Sequence, residues 1–385
     1  MTFQQFHLDP RLQAGIKAAG YVTPTPIQQQ AIPGILAGRD LLGLAPTGTG
    51  KTAAFMLPIL HHLLKQQPRR ENGRAPVRVL IVAPTRELAE QIRQSAVALS
   101  QKTGLRSIAV YGGVGKKPQI DALRRGADIV VACPGRLLDL AGERAIDLSR
   151  VEILVLDEAD RMFDMGFLPD IRRILKLVPE KRQTLFFSAT MPADVDKLAR
   201  QILKNPATVS IGARAPVKTV SHALYPVMPK LKTPLLLAML ERTATGRVLI
   251  FTRTKRRARF LARDLEQQGY NVSALQGNMS QIKRQKAIDG FRSGRHDILV
   301  ATDVASRGID VADISHVINF DMPDTVDAYT HRIGRTGRAE ETGEAFTFAE
   351  PTDIAMVRSI EKVLGSRIER RRLEGFDYRG YNPPL

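Results

Sequence analysis

A short apolar run, Asp40-Leu-Leu-Gly-Leu44, leads into Ala45-Pro46-Thr47-Gly48-Thr49-Gly50-Lys51-Thr52 and then into Ala53-Ala-Phe-Met-Leu57. Strand, glycine loop and helix start in that order restrict the chain to folds in which a buried strand feeds directly into a helix, the arrangement a phosphate-binding loop needs. Gly48 and Gly50 let the backbone turn tightly and offer N–H groups to phosphate oxygens. The Lys51 ammonium can reach the outer phosphates, and the Thr52 hydroxyl can hold a magnesium ion. Ala45 stands where the pattern usually has a leading glycine. A second apolar strand, Ile153-Leu-Val-Leu156, ends in Asp157-Glu158-Ala159-Asp160. Carboxylates at the end of such a strand sit at the rim of a sheet, where they can grip the same magnesium.

Around these two stretches, short apolar strands alternate with longer amphipathic segments: Val77–Ala83, Ser107–Val110, Asp128–Ala132, Ile153–Leu156 and Thr184–Phe187. That alternation predicts an α/β fold with a mostly parallel sheet flanked by helices. Polar, glycine- or proline-bearing clusters follow several strands: Pro84-Thr85-Arg86-Glu87, Gly112-Gly113, Pro134-Gly135-Arg136 and Ser188-Ala189-Thr190. They fall where open α/β sheets bind their ligands. Upstream, Pro24-Thr25-Pro26-Ile27-Gln28 places an extended segment ahead of a helix. Gln28 reads either as a helix cap or, given its closeness to the loop, as an adenine-edge partner.

A second alternation begins after a proline-bearing stretch at 212–220, read as a linker: Val248–Phe251, Asn271–Leu275, Asp297–Ala301, His316–Asn319 and Glu344–Phe348. The reading is therefore two tandem domains, 1–211 and 221–364, followed by a short basic tail over 365–385 that is too short and polar to build a core. No second phosphate loop occurs, so one nucleotide site is expected. In the second half, His331-Arg332-Ile-Gly334-Arg335-Thr-Gly337-Arg338 makes a poor helix and a good anion-facing loop, or else a set of arginines capping carboxylates.

Composition narrows the partners. The chain has 385 residues, with 57 Lys and Arg against 39 Asp and Glu, a formal charge of +18. A polyanion is the natural partner, with nucleic acid ahead of an anionic membrane. The sequence has no apolar run long enough to span a bilayer and no export signal at its start, which predicts a cytoplasmic protein with no membrane partner. Cys133 is the single cysteine, so an intramolecular disulfide is impossible. The neighbours His61-His62 lack a third metal-ligand candidate. Lys255-Arg256-Arg257-Ala-Arg259 reads as a basic helix that presents either a solvated face or a nucleic-acid contact.

Taken together and in order, these clusters resemble the DEAD-box ATP-dependent RNA helicases, over nearly the whole chain from Phe3 to about Phe348. Val151–Met162 with Asp164–Phe167, and Val248–Lys255, look most like the bacterial RhlE branch. The resemblance implies two RecA-like domains and a monomer that binds RNA with little sequence preference. It implies separation of short duplexes coupled to ATP hydrolysis, with ribosomal particles or RNA-decay machinery as the setting. ATP and Mg2+ are the implied cofactors. Phe3 would stack near adenine, Thr25 and Gln28 would select it, and residues 45–52 would hold the phosphates. Asp157 would hold magnesium through water and Glu158 would activate the attacking water. Ser188, Ala189 and Thr190, with Asp160, would couple hydrolysis to strand separation. Arg335 and Arg338 would be the arginine fingers, and Asp310 would meet the ribose. RNA would lie against Pro84, Thr85, Arg86, Gly113, Pro134, Gly135 and Arg136, and against Gln281, Arg284, Thr302 and Asp303. Two positions depart from the family pattern: Cys133 replaces a threonine and Gln276 a histidine. A DNA-directed motor and a non-hydrolysing RNA clamp are the rival readings.

Overall fold

In the computed structural model the described residues are 2–46, 48–66, 75–211, 220–242, 246–303, 311, 314–336 and 343–381. The chain divides into two compact units, Met1–Ala213 and Arg214–Leu385.

The first unit is built on strands β1 (Leu41–Leu44), β2 (Val79–Val82), β3 (Ser107–Val110), β4 (Ile129–Ala132), β5 (Ile153–Leu156), β6 (Gln183–Ser188) and β7 (Ala207–Ser210). They form one sheet in the order β3-β4-β2-β5-β6-β1-β7, every pair parallel. Side chains alternate between faces, so Val79, Ile81, Ile153 and Val155 join one core while Leu80, Val82, Leu154 and Leu156 join the other. Helices cover both faces, which is why the central strands are apolar throughout. Parallel strands bring their carboxyl ends to one rim, and the clusters expected after β1, β2, β4, β5 and β6 all emerge there. β7 lies outside the expected strands. It pairs with β1 through Leu41↔Ala207 to Leu44↔Ser210, a partnership that its half-polar sequence does not announce.

The second unit repeats the architecture with β8 (Val220–Pro226), β9 (Arg247–Phe251), β10 (Val272–Leu275), β11 (Ile298–Ala301), β12 (Ile314–Asn319), β13 (Gly343–Ala349) and β14 (Glu369–Arg370). Their order is β10-β11-β9-β12-β13-β8-β14, again parallel. Two readings of the sequence need correction here. Val220, placed in a linker, already opens β8 and pairs with Gly343; residues 212–219 lie outside the described residues. The basic tail is part of the domain: Glu369 and Arg370 add to the sheet beside Ala223 and Leu224, and Ile368 and Tyr378 are 2% and 4% exposed. Leu373, Phe376 and Tyr381 pack on the same core. Its apolar residues are too widely spaced to read as a core-forming segment, but β8 offers them a finished surface.

Within the first unit, His61 and His62 have ordinary structural partners. His61 Nδ1 accepts from the Asp9 N–H at 2.9 Å, and His62 meets Glu152 at 2.9 Å. No helix among the described residues is long and apolar enough to cross a membrane.

Candidate nucleotide and nucleic-acid site

The loop after β1 is held by its own lysine. Lys51, 7% exposed, opens the helix Lys51–Lys65 and donates from Nζ to the carbonyls of Ala45 at 2.6 Å and Pro46 at 3.2 Å. Gly48 and Gly50 take φ of +81° and +93°, a region that glycine enters at no steric cost. Gly50 is doubly constrained, since a Cβ there would sit 2.5 Å from Gln28 Nε2. The free N–H groups at this helix start face the loop, and the helix dipole favours an anion there. Thr47 lies outside the described residues.

Gln28 ties the upstream segment to that loop. Its Oε1 accepts from the Thr25 N–H at 2.9 Å, and its Nε2 donates to the Gly50 carbonyl at 3.2 Å. The cap reading is therefore realised, at the start of the helix Pro26–Leu36, and the amide sits directly against the phosphate loop. Phe3 packs one face of its ring against Tyr21 with centroids 6.0 Å apart, Phe6 meets it edge-on, and it is 4% exposed. Its ring joins the first unit's core and anchors this short 3-10 turn.

The acidic stretch after β5 sits on the same rim. Asp157 and Glu158 are buried, and Glu158 adopts a left-handed backbone with φ of +51°, a conformation costing about 1–3 kcal/mol for a non-glycine residue and often found at active sites. Its carboxylate pairs with Arg161 Nη1 at 2.8 Å. Arg161 is a contributor that motif reading missed; its spacing of three residues on a helix was the available signal. Burial pushes the Asp157 carboxyl up to about 7 against the pull of Lys51, with Glu158 and Asp160 adding to the rise. A buried carboxylate with a neighbouring carboxylate is short of positive charge, which suits a hard divalent cation shared with phosphate oxygens. Thr52 and Asp157 are the residues that would hold magnesium. Among the described residues no three His, Cys, Asp or Glu side chains converge as a metal cage; magnesium bound with a nucleotide needs only one or two carboxylates.

Asp160 clamps the end of β6. Its Oδ2 accepts from the Ala189 N–H at 3.2 Å, the Thr190 N–H at 2.8 Å and the Thr190 hydroxyl at 2.9 Å. In return Ser188 Oγ accepts from the Asp160 N–H at 3.1 Å and donates to the Thr190 carbonyl at 2.7 Å. The four predicted coupling residues thus form one network.

The remaining first-unit clusters line the neighbouring rim. Thr85 caps the helix Arg86–Leu99, and Pro134 and Gly135 open the helix Pro134–Gly142. Arg86 lies across Gly113, where a Cβ would meet its Nη1 at 1.8 Å, at φ of +78°; only glycine fits. Arg136 donates to the Val114 carbonyl at 3.1 Å. Gln119, which the motifs did not reveal, is buried and braces the glycine loop, accepting from the Tyr111 N–H and donating to the Tyr111 and Gly115 carbonyls. Burial pushes the Cys133 thiol up to about 12, so it is inert packing.

The second unit's rim carries Gln281 and Arg284, both buried on the first turn of the helix Gln281–Arg292, with Arg284 donating to the Gln276 carbonyl at 3.3 Å. Thr302 donates its N–H to the Leu275 carbonyl at 3.3 Å. Arg332 grips both oxygens of Asp303 at 2.6 Å. Arg332 also donates to Asn319 Oδ1 and the Asp321 carbonyl and lies 5.0 Å over the Phe251 ring. It is a carboxylate-capping arginine in the last turn of the helix Val326–Ile333, which stops at Gly334 within the run. Arg335 follows in the next turn, 6% exposed. Thr336 pins that turn by donating to the Ile314 and Ser315 carbonyls. Asp310, Gly337 and Arg338 lie outside the described residues.

Comparison with known proteins agrees with this geometry. Residues 25–198 match the DEAD/DEAH box helicase model and residues 231–340 the helicase conserved C-terminal domain. The ATP-dependent RNA helicase CshA of Listeria monocytogenes is 41% identical over 95% of this chain and 69% of its own length. The chain belongs to the DEAD-box family of ATP-dependent RNA helicases. DEAD-box ATP-dependent RNA helicase 14 of Arabidopsis thaliana is 44% identical over 96% of this DEAD-box chain, which spans only 60% of that relative's length. Among solved structures, S. cerevisiae Dbp5 bound to RNA and ADP BeF3 superposes with a TM-score of 0.84 at 32% identity, covering 97% of this chain and 95% of that one. Mss116p bound to ssRNA and AMP-PNP gives 0.86 at 27% identity, covering 98% and 80%. The Ala45 N–H pairs with the Ser188 carbonyl at 3.0 Å, locking the phosphate loop to the coupling strand.

Proposed function

We propose that this chain is an RNA-stimulated ATPase that separates short RNA duplexes locally, binding RNA with little sequence preference. The observation that carries the reading is the grouping of Lys51, buried Asp157 and strained Glu158 at the rim where Asp160 grips the coupling loop. Lys51 would neutralise charge on the outer phosphates, and Glu158 would orient and deprotonate the attacking water. Magnesium, held by Thr52 and Asp157, would supply further positive charge to the phosphates. Arg335 of the second unit, with Arg338, would complete the site as arginine fingers when the units close, so that hydrolysis waits for closure. RNA lying across both rims would favour closure, and by reciprocity ATP would tighten RNA binding. Backbone N–H groups, threonines and arginines suit phosphates and sugars more than base edges, hence the weak sequence preference.

We further assign the chain to the bacterial RhlE branch, acting as a cytoplasmic monomer on ribosomal particles or RNA bound for decay. Comparing phosphate release with RNA and DNA of equal length tests the reading: RNA stimulates and DNA does not. Equal stimulation by DNA, or none by RNA, contradicts it.

A further inference from the structure

The helix Lys255–Gln267 buries Ala258, Leu261, Ala262 and Leu265 against the second sheet. On its outer side Arg256, Arg259 and Arg263 are exposed around the half-buried Phe260, with guanidinium carbons 5.5, 5.3 and 5.2 Å from the ring centroid. Like charges at three- and four-residue spacing repel one another along a helix, and the cation–π contacts with Phe260 offset that repulsion. Of the neighbouring cations, Arg253 meets Asp324 at 3.4 Å, and Lys255 donates to the neutral Asn278 amide oxygen at 3.1 Å. Arg256, Arg259 and Arg263 have no ion pair among the described residues, and Glu266, three positions beyond Arg263, does not supply one. Three unneutralised charges drawn together on one aromatic ring make a surface for an external polyanion that offers spaced phosphates and a stacking face.

We propose that this stripe binds the phosphate backbone of RNA flanking the segment held at the strand rim. The proposal rests on the RNA-binding reading above. The helix starts at the rim, just after β9, and the stripe runs along it for about 10 Å at 1.5 Å per residue, so a strand leaving the rim can continue onto it. Arg256, Arg259 and Arg263 meet phosphates, and the Phe260 face takes a base.

The test uses the full chain, a short oligouridylate and a long one carrying the same segment with flanks, titrated across a salt series. The triple substitution Arg256→Gln, Arg259→Gln and Arg263→Gln should leave short-RNA affinity and short-RNA-stimulated ATPase unchanged. Long-RNA affinity should fall about tenfold at low salt, with the slope of log K against log salt shallower by about 2, from three phosphates at about 0.7 each. The matching triple lysine variant should restore that slope, and Phe260→Leu should weaken long-RNA binding without changing it. An unchanged slope on long RNA overturns the proposal, as it would if the stripe met an acidic protein or only water. Equal loss on both RNAs overturns it too, by placing the stripe within the rim site. Failure of the underlying reading looks different: the wild-type chain would bind neither RNA.

Discussion

At the scale of single residues, the proposed function rests its chemistry on Lys51 and Asp157, and both were legible in the sequence, because a phosphate loop and a strand ending in acids are local patterns. Lys51 donates from its ammonium to the Ala45 and Pro46 carbonyls, and on the proposed function the same ammonium meets the outer phosphates. Lys51→Ala should lower ATP turnover by about 10²-fold or more while the circular dichroism spectrum stays native; normal turnover would remove the phosphate-loop assignment. Burial pushes the Asp157 carboxyl up to about 7. Because magnesium needs the deprotonated carboxylate, magnesium–ATP binding should release a proton and weaken as pH falls below about 7. Calorimetry in buffers of different ionisation enthalpy reads that proton directly, and Asp157→Asn should abolish it. What the sequence could not reveal at this scale is tertiary in origin. Asp303 meets Arg332, 29 positions further along the chain, and Phe3 packs on Tyr21.

Among elements, the joint between β5 and β6 is the decisive one. Asp160 binds both backbone and hydroxyl of Thr190, and Ala45 binds the last carbonyl of β6, so three rim loops share one hydrogen-bonded frame. Asp160→Asn replaces an acceptor oxygen with a donor at a point receiving three hydrogen bonds. It should leave nucleotide affinity within about threefold yet cut strand separation per ATP hydrolysed by tenfold or more. A strand-displacement assay run beside phosphate release measures both, and proportional loss of the two would contradict a coupling role. The tail shows the limit of reading elements from periodicity. Two residues of strand and scattered aromatics carry no repeat, and their partner β8 lies far earlier in the chain. Tyr378 is nonetheless 4% exposed, accepts from the Leu373 N–H at 2.8 Å and carries Arg372 at 4.3 Å over its ring. Tyr378→Ala should destabilise the second unit by about 2–4 kcal/mol in urea unfolding; a loss below about 0.5 kcal/mol would return the tail to its status as an appendage.

For the whole molecule, the two parallel sheets and their order of elements follow from apolar strands alternating with amphipathic helices, and this was the most readable level. Placement of the second unit's arginines was only partly so. Arg332 and Arg335 look alike in sequence, but one is consumed by Asp303 and Asn319 inside its own unit while the other follows in the turn pinned by Thr336. On the proposed function, that second arginine makes hydrolysis depend on both units. The direct test is RNA-saturated phosphate release by Arg335→Ala beside binding of a fluorescent ATP analogue. The account predicts analogue affinity within about threefold of wild type and turnover lowered by about 10³-fold or more. Turnover near the wild-type rate, or loss of analogue binding with turnover otherwise unchanged, would contradict it.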